Sequence, residues 1–182
     1  MQNGIEEKQG NLKTVFGTET KMAQTAADIR LNIYRRPYRV LVADDDEFMH
    51  AIIRVCLRKT SYLLSFTNNG AEALRIIESD PPDILIADGL MPVVSGFELI
   101  EEIKSRTQTA SIPVILLTPI DHIETPAMDA AEKADIRLTK PFKVGSILES
   151  LKMAEELVER TRQQQVRVRD TSRFFVRWRL SQ

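Results

Sequence analysis

Between positions 39 and 140 the chain repeats one pattern five times: a short apolar, β-branched run followed by a segment of helical periodicity about 10 to 15 residues long. The runs are RVLVAD (39–44), YLLSFT (62–67), DILIAD (83–88), PVILLT (113–118) and IRLTK (136–140). Three are nearly continuous in apolar residues, as expected of strands covered on both faces. Strict alternation of strand and helix predicts parallel strands joined by crossover helices, an α/β doubly wound, three-layer domain of five strands and five helices.

The helical segments carry their own punctuation. Asp46 suits the cap of a helix from Glu47 to about Thr60, with Phe48, Ile52, Val55 and Cys56 as its expected apolar stripe. Gly70 to Ser79 offers Ala73, Leu74 and Ile77 before Asp80-Pro81-Pro82 stops it, and Gly96 to Ser105 offers Phe97, Ile100 and Ile103. Thr125-Pro126 reads as a cap followed by proline in the first turn, opening a helix to about Lys133. The last helix starts at Gly145 or Ser146 and carries Ile147, Leu148, Leu151 and Val158.

Charge divides the chain into three. Residues 1–39 carry a net +3, residues 40–159 a net −10 and residues 160–182 a net +6, which suggests an acidic domain with two basic appendages. The one cysteine, Cys56, excludes an internal disulfide framework and a thiolate-rich zinc site, and two histidines, His50 and His122, argue against a His-based one. Both histidines and Cys56 read as surface or core residues rather than ligands. No apolar run approaches the ~20 residues that span a bilayer, and the polar start lacks the apolar segment of a secretory signal, so a cytoplasmic location without membrane contact is expected.

Open parallel sheets place their chemistry beyond the carboxyl ends of the strands. Here those ends are Asp44-Asp45-Asp46, Asp88, Thr118 and Lys140-Pro141-Phe142. Clustered hard oxygens without Cys or His select Mg²⁺ or a similar cation completed by a phosphate oxygen, and a lysine opposite neutralises what the phosphate brings.

The stretches VLVADDDE, NNGAEAL, PDILIADGLMPVVSGFEL, IPVILLT and LTKPF, in that order, make residues 39 to about 157 resemble the receiver domain of bacterial two-component response regulators. The resemblance implies that Asp88 accepts a phosphoryl group from a phosphohistidine on a sensor histidine kinase or histidine phosphotransfer protein. It implies that Asp44, Asp45, Asp88 and the backbone carbonyl of Leu90 hold Mg²⁺, that Lys140 pairs with the phosphoryl oxygens and that Thr118 moves to bond one of them. It also implies a cis peptide before Pro141, and a signalling protein rather than an enzyme.

The chain departs from that pattern at several places. Pro119 stands where the family has a residue whose N–H donates to the phosphoryl group, and proline has no N–H. Arg137 replaces the family's switch aromatic, and a guanidinium resists burial. Lys133 replaces a glycine, and Val93-Val94-Ser95 replaces a more polar loop, its valines either forming a contact surface or folding under. Leu90 and Ile120 flank the acceptor and imply slow dephosphorylation.

Residues 1–38 are expected to be an extension with a helical stripe at Leu12, Val15, Met22, Ala26, Ile29 and Ile33, docking on its own domain or pairing with a second copy. Residues 39–157 form the receiver. Residues 158–182 continue its last helix to about Gln165 and end in a basic aromatic tail, VRVRDTSRFFVRWRL, whose alternation suggests a hairpin. The expected partners are a kinase or phosphotransfer protein, a second copy through the terminal helices and an unidentified downstream protein, with nucleic acid disfavoured. The rival readings are a phosphorylation-impaired interaction module, a nucleic-acid binder acting through the tail, and a haloacid-dehalogenase-like phosphatase, whose Asp-x-Asp-x-Thr/Val signature fails at Phe48.

Overall fold

A computed structural model describes residues 36–119 and 125–179, with side chains described for 36–119 and 129–165. Residues from Pro37 onward form one compact unit. The expected N-terminal helical stripe lies outside the described residues, as do Ile120 and His122.

Among the described residues five strands and five helices alternate: β1 (Arg39–Ala43), α1 (Glu47–Leu57), β2 (Leu63–Thr67), α2 (Gly70–Ser79), β3 (Ile84–Asp88), α3 (Gly96–Ser105), β4 (Val114–Pro119), α4 (Thr125–Lys133), β5 (Ile136–Lys140) and α5 (Val144–Arg179). All neighbours in the sheet are parallel, in the order β2-β1-β3-β4-β5. The order reverses at β1, the switch point where such sheets open a crevice at their carboxyl edge.

Alternation along each buried strand feeds two cores. Val40, Val42, Ile84, Ile86, Ile115 and Leu117 face one way, against Ile53 and Leu57 of α1 and Ile147, Leu151, Ala154 and Val158 of α5. Leu41, Ala43, Leu85, Ala87, Val114 and Leu116 face the other, against Ala73 and Ile77 of α2, Leu99, Ile100 and Ile103 of α3 and Ala131 of α4. Caps set the helix starts. Asp46 Oδ1 accepts from the N–H of Phe48, Asn69 Oδ1 from that of Glu72, and Ser95 forms a reciprocal capping box with Glu98.

Two expectations are corrected. On α1 the buried residues are His50, Ile53 and Leu57, with Met49 and Cys56 partly covered, whereas Phe48 is 71% and Val55 63% exposed. The helix carries two apolar stripes, and the one that meets the sheet and α5 is buried, with the His50 and Phe66 rings 4.8 Å apart beside it. His50 is therefore a buried residue whose Nε2 finds no partner among the described residues. The second correction concerns the tail. No hairpin forms between 166 and 179; the backbone there is helical and continuous with α5.

At the amino end of the sheet, α5 is fastened by a polar network. Tyr62 donates to Glu155 (2.5 Å) and Tyr38 to Glu159 (2.8 Å), while Arg162 reaches Asp83 (2.8 Å) and Glu159 (3.0 Å). Burial together with the bond to Glu155 pushes the Tyr62 hydroxyl well above the usual tyrosine range.

Candidate functional site: an acidic rim at the carboxyl edge

The ends of β1, β3 and β5 bring Asp44, Asp45, Asp88 and Lys140 to one place. One carboxylate oxygen from each of the three aspartates lies within 4.8 Å of the others, and Lys140 Nζ stands 3.0 Å from both Asp44 Oδ2 and Asp88 Oδ1. Asp44 is fully buried and its Oδ1 also accepts from the N–H of Asp46 (2.9 Å), so the turn that begins α1 orients it. Asp45 is exposed and Asp88 buried.

Three carboxylates share one ammonium, and Asp88 is the one whose acidity registers its surroundings. Burial raises the Asp88 carboxyl above the usual aspartate range, with the nearby Asp44 adding to the rise, although Lys140 and the backbone N–H of Leu90 favour its charged form. Burial works against the charged form of Lys140, but its bonds to Asp44 and Asp88 outweigh that and raise it. The rim therefore holds a carboxylate that pays for its charge through burial beside a lysine that stays protonated.

Thr118 is buried at the end of β4, where its Oγ1 donates to the carbonyl of Pro119 (3.3 Å). The ladder sets Thr118 beside Thr139, Pro119 beside Lys140 and Asp88 beside Leu117. The peptide bond between Lys140 and Pro141 is cis. Leu90, two residues past Asp88, is 64% exposed. Arg137 lies on the exposed side of the edge strand β5, so its charge stays in solvent. Lys133 forms an ion pair with Glu101 across α3 and α4. The two valines of the loop after β3 divide: Val94 packs on the second core, and Val93 stands 82% exposed in the left-handed region, φ 70°.

Gly96 carries no charge, and reading the sequence for chemistry overlooks its part. A Cβ there would stand 1.9 Å from the Asp88 carbonyl oxygen, and its N–H donates to the Gly89 carbonyl (3.1 Å). Only glycine lets α3 begin this close to the acceptor strand. The signal was its position, opening a helix eight residues after Asp88.

The donor set fits a hard divalent cation: carboxylate oxygens alone among metal-binding side chains, with room left by the exposed Asp45. Among the described residues it offers a soft metal nothing.

The response regulator receiver domain family matches residues 40–152. Among curated relatives, the chain is 33% identical over 110 residues to "Response regulator MprA" of Mycobacterium ulcerans, covering 60% of this chain and 47% of that protein. It is 36% identical over 104 residues to "Sensor histidine kinase TmoS" of Ectopseudomonas mendocina, covering 57% of this chain and 11% of that one. It thus spans half or less of these relatives. Among solved structures it resembles a putative response regulator from Chloroflexus aurantiacus (TM-score 0.58, 27% identity, 68% of this chain and 98% of that one). It also resembles the chemotaxis protein CheY4 of Vibrio cholerae (TM-score 0.58, 27% identity, 65% and 98%). With the five-stranded parallel fold and the acidic rim in place, the chain belongs to the response regulator receiver domain family of two-component signalling.

Proposed function

We propose that this receiver takes a phosphoryl group onto Asp88 from a phosphohistidine on a sensor histidine kinase or histidine phosphotransfer protein. The observation that carries the reading is Lys140 Nζ held 3.0 Å from both Asp44 and Asp88 at an otherwise acidic rim. An Asp88 carboxylate oxygen attacks phosphorus, the bond from phosphorus to the donor imidazole nitrogen breaks, and the imidazole leaves with a proton. Lys140 offsets charge on the transferring oxygens, and Thr118 donates its hydroxyl to one of them. Asp44, Asp45, Asp88 and the Leu90 carbonyl would hold Mg²⁺, which when bound neutralises phosphoryl charge.

A protein donor is favoured over a small one by what surrounds the rim. Phe48 opens α1, Leu90 and Val93 lie in the loop after β3, and Val144 opens α5; all are more than half exposed at the same edge of the sheet. Exposed apolar residues in such number mark a contact surface. Output then passes through protein contacts, with self-association assigned to the N-terminal stripe. Apolar Leu90 beside the acceptor hinders water, so the acyl phosphate persists.

Incubation with Mg²⁺ and acetyl phosphate should add one acid-labile phosphoryl group to the wild type and none to Asp88→Asn, and sizing both states reads self-association. Pro119 favours one competing reading, an interaction module that never carries phosphate, because a donor to the phosphoryl group is missing there. Absence of both phosphoryl gain and Mg²⁺-dependent beryllofluoride binding in the wild type would establish that alternative.

A further inference from the structure

The helical course of residues 166–179 rearranges a segment that, read as a strand, merely alternates valine with arginine. At about 3.6 residues per turn, positions Arg167, Val168, Thr171, Phe174, Phe175, Trp178 and Arg179 share one side of α5, and Arg169, Arg173 and Arg177 share another. We propose that this part of α5 is a surface-binding helix for anionic lipid, lying in the headgroup layer with its aromatic side toward the acyl chains.

Three observations support lipid as the occupant. Residues 160–182 carry seven arginines, no lysine and one acid, a net +6 that complements an anionic surface. Aromatic residues along one side, with Arg167 and Arg179 at its two ends long enough to snorkel, and Arg169, Arg173 and Arg177 along another are a composition suited to interfacial helices, and tryptophan prefers that depth. No helix among the described residues is long and apolar enough to cross a membrane, so the binding is lateral.

Other occupants fit less well. The seam that buries Ile147, Leu151, Ala154 and Val158 continues through Thr161, Gln165, Val168, Ser172, Phe175 and Arg179, too polar for pairing with a second copy. Single-stranded nucleic acid is held by stacking and phosphate contacts on one surface, whereas here three of the five arginines of 166–179 fall away from the aromatic side.

The body of the domain gives the helix an orientation. Tyr38, Tyr62 and Asp83 immediately precede or open the approach to β1, β2 and β3, and they fasten α5 through Glu159, Glu155 and Arg162. The helix thus leaves from the sheet edge opposite Asp88 and continues for residues 163–179, about 25 Å at ~1.5 Å per residue. An anionic bilayer attracts this extension and repels the body, net −10 over 40–159, so the Asp88 rim faces away from lipid.

Trp178 is the chain's one tryptophan, so its fluorescence reads this helix alone. The full chain is mixed with vesicles of phosphatidylcholine, alone or with phosphatidylglycerol. The expected result is a blue shift and flotation with the anionic vesicles, at least about tenfold weaker with neutral ones and with added salt. The triple variant R169Q/R173Q/R177Q and the double variant F174S/F175S should each lose about tenfold in partitioning, with unchanged melting temperature as the folding control. Equal binding to both vesicles, or none, overturns the proposal. So does a blue shift produced only by an oligonucleotide or only by raising protein concentration, which would reassign the helix to nucleic acid or to a second copy.

Discussion

The two edges of the sheet solve the burial of charge in opposite ways. At the amino edge Tyr38, Tyr62, Asp83, Glu155, Glu159 and Arg162 satisfy one another in a network that ties α5 to three strand starts. At the carboxyl edge three carboxylates crowd one ammonium, burial raises Asp88, Val93 holds a left-handed backbone, and Phe48, Leu90 and Val144 stand open. A paired, covered edge stabilises and positions; an unbalanced, uncovered one stores the means to bind something else. Strain and unmatched charge persist where the surrounding structure enforces them.

The largest test of this contrast is Gly96→Ala. With its Cβ 1.9 Å from the Asp88 carbonyl oxygen, α3 must retreat from the rim, and a loss of about 3–5 kcal/mol or failure to fold is expected in chemical denaturation. Asp88→Asn should abolish phosphoryl acceptance while adding roughly 1 kcal/mol of stability at neutral pH, because it removes a charge whose burial opposes it.

The sign follows from linkage. A carboxyl whose folded pKa lies above its unfolded value costs stability when ionised, and that cost fades as pH falls through the folded value. The stability gap between Asp88→Asn and the wild type should therefore narrow on acidification, and phosphoryl acceptance by the wild type should weaken over the same range. A gap that widens would show the charge of Asp88 to be net favourable.

At the paired edge, Tyr62→Phe should cost about 1 kcal/mol, the worth of one hydrogen bond, and leave phosphoryl acceptance unchanged. Loss of acceptance there would break the separation of the edges. The smallest effect expected is from Val93→Gly, which relieves the left-handed conformation and should stabilise by up to about 1 kcal/mol. The same substitution should weaken docking of a protein phosphodonor, measured as a rise in the donor concentration needed for half-maximal transfer.

The strand runs and their terminal aspartates and lysine were legible because a parallel strand covered on both faces must be apolar along its length and can change character only at its end. Asp44, Asp45, Asp88 and Lys140 announce themselves by sitting at those ends. Gly96 did not, since its part is to be small near one carbonyl. Val93 and Val94 look alike in sequence and part company only because the loop folds one of them under.

Local sequence thus determined the alternation, the parallel sheet and the residues available to the acidic rim, since periodicity and the chemistry of strand ends act over a few neighbours. Tertiary structure alone decided which of two apolar stripes α1 buries, drawing in His50 beside Phe66 and leaving Phe48 and Val55 outside. It decided also that residues 166–179 continue α5 instead of turning back as a hairpin. The reason is shared: an amphipathic segment offers several faces of similar quality, and only the surface it meets, or the helix it prolongs, selects among them.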